Sequence, residues 1–299
     1  MVDDFHPELH AVARWLPRAA VTRRTLAPIR MLSALQAKIP AKSVEVRTVG
    51  AVSMRVHRPA APTHPGPAML WIHGGGYVMG TAAQDDAVCR HFVHELGIVV
   101  AAVDYRLAPE HGFPVPLHDC YDALAWLALQ PDVDAARLAV GGASAGGGLA
   151  AALALLALAR GELRLAFQLL AYPMLDDRTA TRVDVDERNF RLWNNKANRF
   201  GWQSYLGRPP GGAGVSGLAA PSRADDLGGL PPAWIGVGTL DLFHDEDAAY
   251  AKRLQAAGVS CHLEVVPGGF HGFDLVRPKA GVSKAFRSAQ VTALGAALA

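Results

Sequence analysis

Six short apolar runs, separated by longer stretches with helical periodicity, constrain the fold of this chain more than any other feature. Their apolar residues follow one another without alternating with polar ones, as is typical of strands buried on both faces of a sheet. The runs are Ala68–Ile72, Ile98–Val103, Arg137–Val140, Ala166–Leu170, Ala233–Val237 and His262–Val266. Strand, helix and strand in repeated order predict an α/β fold, with a parallel sheet covered by helices on both faces.

Three segments depart from this repeat. Residues 1–40 are predicted to be helical, with prolines as breaks. Val44–Val49 and Ala51–His57 alternate like a two-stranded ribbon around Gly50. Asp176–Leu230 contains no convincing strand, so an insertion between two strands of the sheet is expected there.

Composition and charge exclude several classes of protein. Hydrophobic residues make up 51% of the chain, which is too apolar for a disordered protein. The 29 Lys and Arg nearly balance the 27 Asp and Glu. The sequence has no basic cluster of the kind that would predict binding to nucleic acid or to an anionic membrane. Cys89, Cys120 and Cys261 are widely spaced, which argues against a zinc site or a disulfide framework and favours a cytoplasmic protein.

The acidic N-terminus predicts no signal peptide, and the longest apolar run, Leu149–Ala159, is too short to cross a membrane.

A glycine-flanked serine, Gly142-Ala143-Ser144-Ala145-Gly146, lies between an apolar run and an Ala-rich helical stretch. In a strand–turn–helix connection this tight, a side chain at position 142 or 146 would clash, so both positions must be glycine. The turn exposes the serine at the N-terminus of the helix. Because the chain has 30 glycines, the pentapeptide alone is a weak signal, and an ordinary glycine-rich turn is the alternative. Its setting nevertheless favours Ser144 as a nucleophile.

A second glycine-rich motif, His73-Gly74-Gly75-Gly76, directly follows an apolar run. Its backbone N–H groups can stabilise an oxyanion together with the N–H of Ala145, the residue after the serine. A flexible turn or a phosphate-binding loop is the alternative, but no lysine follows with P-loop spacing. His73 is expected to brace the loop rather than to transfer protons.

A nucleophilic serine needs a base and a carboxylate that orients the base. Asp241 and His271 follow the last two apolar runs, in loops at the carboxyl ends of predicted strands, where α/β sheets place their sites. Other residues near these positions compete for the two roles: Asp245, Glu246 and Asp247, which are expected to begin a helix, and His244 and His262.

Five motifs occur in an order that resembles the hormone-sensitive-lipase family of α/β hydrolases, and in particular its compact bacterial esterases. They are His73–Gly80, Asp104–Glu110, the turn around Ser144, Asp241–Glu246 and His271–Phe273. The resemblance implies an α/β-hydrolase fold, with a mostly parallel sheet flanked by helices. It implies a catalytic domain formed by residues 41–175 and 221–299, and a helical cap formed by residues 1–40 and 176–220.

The family analogy also assigns roles to single residues. It implies Ser144 as nucleophile, His271 as base, Asp241 as its partner, and an oxyanion hole formed by the N–H groups of Gly75, Gly76 and Ala145. The neighbouring His73, Gly74, Gly142 and Gly146 support these groups, and no metal or organic cofactor is implied. Asp104, Arg106 and Glu110 are interpreted as a buried charge network beside the oxyanion loop. Ala143 and Leu242 depart from the acidic residue and the proline that are common in the family.

These observations predict a serine carboxylesterase that hydrolyses short-chain esters through an acyl-enzyme on Ser144. The alternatives are hydrolysis of an amide, carbamate or lactone, and a non-catalytic homologue that binds a small molecule. The expected partner is a small ester, without nucleic acid or stable membrane association, and the oligomeric state stays open, a homodimer included. Five aromatic residues of the insertion are expected mainly to pack the cap against the core: Phe190, Trp193, Phe200, Trp202 and Tyr205.

Overall fold

The computed structural model of this chain describes residues 5–19, 21–37, 41, 44–60 and 65–299. Eight strands form one sheet: β1 Val44–Val49, β2 Val52–His57, β3 Gly66–Ile72, β4 Val99–Asp104, β5 Val133–Ala143, β6 Phe167–Ala171, β7 Ala233–Leu240 and β8 Cys261–Phe270. Their order across the sheet is β1-β2-β4-β3-β5-β6-β7-β8. β2 runs antiparallel to both neighbours, and every other neighbouring pair is parallel. The predicted α/β-hydrolase architecture with a mostly parallel sheet is therefore confirmed.

Helices surround this sheet. The α-helices of the described residues are α1 Pro7–Ala13, α2 Leu26–Ala37, α3 Asp86–Leu96, α4 Val115–Ala128, α5 Ala145–Arg160, α6 Asn195–Leu206, α7 His244–Ala256, α8 Phe273–Val276 and α9 Gly281–Leu298. Short 3₁₀ turns occur at Ala82–Asp85, Asp177–Thr181, Glu187–Asn189 and Pro221–Arg223. α4, α5 and α7 contribute to the buried cluster on one face of the sheet, and α3 and α9 to the cluster on the other.

Alternate side chains of the central strands enter these two clusters. In β3, Leu70 and Ile72 belong to the first cluster, whereas Met69 and Trp71 belong to the second. Both faces of the strand are therefore dry, which explains why its sequence is continuously apolar rather than alternating.

The strands that lead to the predicted site are longer than the apolar runs that predicted them. Gly142, near the end of β5, still pairs with Ile72 of β3, because backbone hydrogen bonding requires no apolar side chain. As a result Ser144, Asp241 and His271 each follow directly on the last residue of a strand, β5, β7 and β8 respectively. The sheet itself thus carries all three residues to its carboxyl edge.

The N-terminal helices contact both the inserted segment and the loop after β3. The inserted segment 176–220, described throughout, contains α6 and 3₁₀ turns but no strand, as predicted. Arg191 of this segment donates through Nε to the carbonyl of Ala13 at the end of α1 (2.5 Å). Arg30 of α2 donates to the carbonyls of Val78 (2.6 Å) and Ala108 (2.5 Å) beside the glycine-rich loop.

The interpretation of Asp104, Arg106 and Glu110 as one buried charge network is wrong. The Asp104 carboxylate accepts a backbone N–H from the start of the 3₁₀ turn that follows the glycine-rich loop (2.6 Å). Arg106 instead forms a two-pronged ion pair with the buried Asp119, and the exposed Glu110 pairs with Arg30. The three residues fasten separate segments, since they bind three different partners.

No helix of the described residues is long and apolar enough to cross a membrane. α2 nevertheless exposes a short apolar stripe that its sequence did not predict. Met31, Leu32 and Leu35 are 65%, 57% and 55% exposed.

One buried ion pair ties β2 to the first turn of α3. The guanidinium of Arg55 donates to both carboxylate oxygens of Asp86, at 2.8 and 2.6 Å, and both side chains are nearly sealed from solvent. The pairing with Asp86 raises the pKa of Arg55. Replacing Arg55 would leave the nearly buried Asp86 carboxylate with only weak compensation, from the half-exposed Arg90 at 3.9 Å and from His57, whose pKa is lowered by burial.

We therefore expect Arg55→Leu to lower the free energy of unfolding by about 3–5 kcal/mol. The double variant Arg55→Leu/Asp86→Leu should recover much of this loss, because it buries no unpaired charge. Urea unfolding followed by circular dichroism measures both. Equal destabilisation of the single and double variants would show that packing, rather than charge burial, sets the cost.

Candidate active site

Ser144 occupies a strained turn between β5 and α5, with φ 58° and ψ −122°. The conformation is held by three backbone hydrogen bonds. The Ser144 N–H donates to the carbonyl of Ala171 (2.9 Å), and its carbonyl accepts from the N–H groups of Gly148 (3.0 Å) and Met174 (2.9 Å). A non-glycine residue in such a conformation costs about 1–3 kcal/mol, and such residues cluster at functional sites.

The two flanking glycines are required by backbone contacts. A Cβ at Gly142 would overlap the carbonyl of Gly146, and a Cβ at Gly146 would overlap the carbonyls of Ile72 and His73. The turn therefore approaches the end of β3 at backbone contact distance. This close approach places the serine beside the glycine-rich loop that follows β3.

Asp241, His271 and Ser144 form a continuous hydrogen-bonded chain. His271 Nε2 lies 2.9 Å from Ser144 Oγ, and its Nδ1 lies 2.8 Å from Asp241 Oδ2. The second carboxylate oxygen of Asp241 accepts the N–H of Phe243 (3.0 Å). All three side chains are buried, and the ring of Tyr172 packs edge-on against the imidazole with 4.9 Å between centroids.

The competing acids and histidines lie away from Ser144 Oγ. Asp245, Glu246 and Asp247 occupy the first turn of α7, as expected. Burial raises the pKa of Glu246 and Asp247 well above the usual range of a carboxyl. His244 Nδ1 lies 3.0 Å from Oδ1 of Asp245, and His262 Nε2 lies 3.2 Å from Oε2 of Glu264.

The glycine-rich loop is folded by its own backbone. The carbonyl of Gly75 accepts the N–H groups of Val78 and Met79, both at 3.1 Å, and Gly75 and Gly76 have φ of 126° and 58°. Within the described part of the chain, no hydrogen-bond acceptor is recorded for the N–H groups of Gly75, Gly76 or Ala145. Three donors next to Ser144 are thus left to interact with a substrate.

His73 braces this loop from beneath, as the sequence predicted. Its ring is buried and stacks on Tyr105 with 4.3 Å between centroids, and Nδ1 lies 2.8 Å from the carbonyl of Gly74. Burial lowers the pKa of His73, so the ring is neutral near pH 7. Tyr105 also donates its hydroxyl to the carbonyl of His73 (3.1 Å).

Ser144 and His271 open onto a cavity of about 250 Å³. Its wall combines the glycine-rich loop with α2, the 3₁₀ turn Ala82–Asp85, the residue after β6, the inserted segment and α8. The lining residues beyond the glycines include Ile29, Ser33, Met79, Gln84, Asp85, Tyr172, Leu192, Trp193 and Leu275. Sequence reasoning missed Asp85 and Tyr172, because neither belongs to a motif that marks catalysis. A larger groove of about 610 Å³ lies at the amino ends of the strands, but it contains no triad residue.

A family profile described as alpha/beta hydrolase fold matches residues 69–275. The chain belongs to this family. This α/β hydrolase is 36% identical to carboxylesterase NlhH of Mycobacterium tuberculosis over 274 residues. The matched region covers 85% of this chain and 83% of the relative. Ethyl acetate hydrolase of Pseudomonas putida is 35% identical over 244 residues, covering 77% and 74%. The solved structure of a bacterial heroin esterase superposes with a TM-score of 0.88 at 40% identity, covering 99% and 98%. The resemblance to bacterial esterases of the hormone-sensitive-lipase family is confirmed.

The contact between the turn and the end of β3 generates a stability prediction. Gly146→Ala should lower the free energy of unfolding by about 3 kcal/mol or more and abolish activity, since the overlapped atoms belong to backbone that cannot move freely. Gly161→Ala is the control: this site has φ 68° but open space around a Cβ, so only about 1 kcal/mol of backbone strain is expected. Thermal unfolding and initial rates on p-nitrophenyl butyrate would measure both variants. A stable, active Gly146→Ala protein would contradict the packing argument.

Proposed function

We propose that Ser144, His271 and Asp241 are the catalytic triad of this α/β hydrolase, and that it acts on short-chain carboxylic esters. Its reaction class, carboxylic ester hydrolysis, is that of its carboxylesterase relatives. The observation that carries the assignment of residues is the hydrogen-bonded chain from Asp241 to Ser144 Oγ, which ends at the cavity.

In the proposed mechanism Ser144 Oγ attacks the ester carbonyl carbon while His271 Nε2 accepts the hydroxyl proton. The Nδ1–H of His271 donates to Asp241, which fixes the tautomer and stabilises the imidazolium as it forms. His271 then gives the proton to the departing alcohol, leaving an acyl group on Ser144. A water molecule, deprotonated by the same imidazole, attacks this acyl-enzyme and regenerates the serine.

The N–H groups of Gly75, Gly76 and Ala145 are the proposed oxyanion hole. They would donate to the former carbonyl oxygen as it becomes negative, an interaction that is stronger in the transition state than with the neutral ester. Two facts support this role. No acceptor is recorded for these N–H groups within the described residues, and the positive φ of Gly75 and Gly76 is a conformation that L side chains rarely adopt.

We further propose that residues 1–40 and 176–220 act together as a cap on a catalytic domain formed by residues 41–175 and 221–299. Ile29 of α2 and Leu192 and Trp193 of the insertion line the cavity, which supports this division. Trp193 packs against Gly76, where a Cβ would overlap its ring. The remaining insertion aromatics pack as expected, with Trp202 and Tyr205 buried against Tyr77.

The proposed partner is a small ester rather than a nucleic acid, because the chain has almost balanced charge and no basic cluster. The three cysteines are free thiols, and Cys89 and Cys120 are buried, which is consistent with the proposed cytoplasmic location. A homodimer remains a hypothesis that sedimentation of the purified protein would test.

Single substitutions test the triad. Ser144→Ala and His271→Ala should each lower kcat on p-nitrophenyl butyrate by about 10⁴-fold or more, because the residues act as a unit. Asp241→Asn should lose as much or less, since Asp241 orients and stabilises rather than reacts.

The matched control for Asp241 is Asp245→Asn, which changes an exposed acid of the neighbouring α7. It should retain near wild-type kcat, and circular dichroism should show that all four variants are folded. Full activity of Asp241→Asn together with an inactive Asp245→Asn protein would reverse the assignment of the acid.

A cavity of about 250 Å³ also limits the length of the acyl chain. Each buried methylene contributes about 0.8 kcal/mol only until the pocket is full. We expect kcat/KM on p-nitrophenyl esters from acetate to palmitate to peak at about four to six acyl carbons. Assays with emulsified triglyceride are the complementary test, because α2 exposes apolar side chains. A maximum at long chains, or a jump in rate at the oil–water interface, would identify a lipase instead.

A further inference from the structure

A carboxyl group that the proposed mechanism does not use lies in the wall of the substrate cavity. Asp85 ends the 3₁₀ turn Ala82–Asp85, which follows the glycine-rich loop, and it lines the same cavity as Ser144 and His271. Only 2% of the residue is exposed. A buried carboxyl in such a place needs a physical explanation, because removing a carboxylate from water is costly unless it is paired.

Only one of the two oxygens of the Asp85 carboxyl accepts a hydrogen bond from the described residues. Trp71 Nε1–H donates to Oδ2 of Asp85 (2.8 Å), whereas no donor to Oδ1 is recorded in the described part of the chain. Both oxygens of Asp247 also lack hydrogen-bond partners but are fully buried, whereas Oδ1 of Asp85 is not buried in this way. Among the described residues, no Lys, Arg or His forms an ion pair with Asp85, and no Lys or Arg lines the cavity.

Two arginines in this region pair with other acids rather than with Asp85. Arg287 lines a small adjoining pocket together with Asp85, but no ion pair joins the two, and Nε of Arg287 has no hydrogen-bond partner within the described residues. Asp86 takes the guanidinium of Arg55, as described above. Asp274 accepts the hydroxyl of Tyr172 (2.9 Å) and lies 3.8 Å from Nε of Arg287. Asp85 is therefore the carboxyl of this region for which the described residues supply no counter-ion, and it is the one that faces the substrate.

The environment places the titration of Asp85 near neutral pH. Burial raises its pKa to about 7; Asp274 and Asp86 add to the rise, and the Trp71 hydrogen bond opposes it. The group is therefore neutral at pH 6 and anionic at pH 8.5. The titratable or charged groups around Asp85 are Asp86, Cys89, Tyr105, Tyr172 and Asp274, together with His271 and Arg287 in the walls of the two pockets that Asp85 lines. Burial raises the pKa values of the thiol and the two phenols well above their usual range.

We propose that Asp85 is a specificity residue that binds a positively charged alkylammonium group of the ester substrate. The substrate would supply the counter-ion that the described residues do not, and the rest of the wall suits its alkyl groups. Ile29, Leu192 and Leu275 are apolar, and Trp193 offers an aromatic face for a cation. An uncharged substrate of the same shape would leave the carboxylate unpaired, which is the condition under which a site discriminates most strongly. This inference rests on the proposed esterase function of the same cavity.

The test uses two pairs of esters that differ only in charge. Acetylcholine and 3,3-dimethylbutyl acetate carry the group on the alcohol side. The p-nitrophenyl esters of 4-(trimethylammonio)butanoate and 5,5-dimethylhexanoate carry it on the acyl side. For at least one pair, the ratio of kcat/KM for the cationic over the neutral ester should be on the order of tenfold at pH 8.5 and should fall towards one at pH 6. The ratio cancels the pH dependence of the triad itself.

Asp85→Asn keeps an oxygen that can accept the Trp71 N–H but cannot become an anion. Its ratio should be near one at both pH values. Asp122→Asn, an exposed acid on α4, makes the same change in net charge far from the cavity and should keep the wild-type ratio. A ratio near one in the wild-type protein for both pairs, or a preference that Asp85→Asn retains, would overturn the inference.

Binding to the Ser144→Ala protein separates this inference from the proposed catalytic function. At pH 8.5 choline should bind about tenfold more tightly than 3,3-dimethylbutanol by calorimetry, and the difference should shrink at pH 6. This readout needs neither turnover nor a folded Asp85→Asn variant. Failure to hydrolyse any ester would refute the esterase proposal alone, whereas hydrolysis of the neutral esters combined with equal binding of the two alcohols would refute the role of Asp85 alone.

Discussion

The backbone contact between Gly146 and the end of β3 is the constraint on which the rest of the site depends. Because a side chain at Gly146 would overlap the carbonyls of Ile72 and His73, the turn that carries Ser144 can lie directly against the glycine-rich loop. The strained φ of 58° at Ser144 is maintained by hydrogen bonds to the last residue of β6, to Met174 just beyond it, and to Gly148 within α5. Ser144 and the proposed oxyanion donors are therefore positioned by contacts of the main chain.

Segments outside the sheet complete what this contact begins. His73 and Tyr105 support the glycine-rich loop from the sheet side, and Arg30 of α2 binds the carbonyls just beyond it. Trp193 of the inserted segment packs against Gly76 of this loop. Its ring centroid lies 6.3 Å from that of His271. The wall of this cavity thus depends on both segments of the proposed cap, so we expect changes in those segments to affect specificity before they affect the chemistry.

Much of this arrangement could be predicted from the sequence, and the failures have physical causes. Continuous apolar runs predicted the strands, and motif order predicted that Ser144, Asp241 and His271 would meet, because each follows a parallel strand. The carboxyl ends of β5 and β7 extend beyond the predicted runs, because their glycines carry no hydropathy signal. Asp104 was assigned to a single charge network because sequence proximity does not reveal where a side chain points. The place of Asp85 in the cavity wall, with its hydrogen bond from Trp71 of β3, follows from the packing of segments distant in sequence, which no local pattern encodes.

The central claim is that Ser144 is the nucleophile of an acyl-transfer site, and covalent labelling tests it most directly. The protein would be treated with a fluorophosphonate at neutral pH, digested, and mapped by mass spectrometry. We expect one phosphonylated residue, Ser144, and a much slower reaction when His271 is replaced by alanine, because the imidazole activates the hydroxyl. An adduct on another residue, or no adduct on a folded protein that still hydrolyses esters, would contradict it.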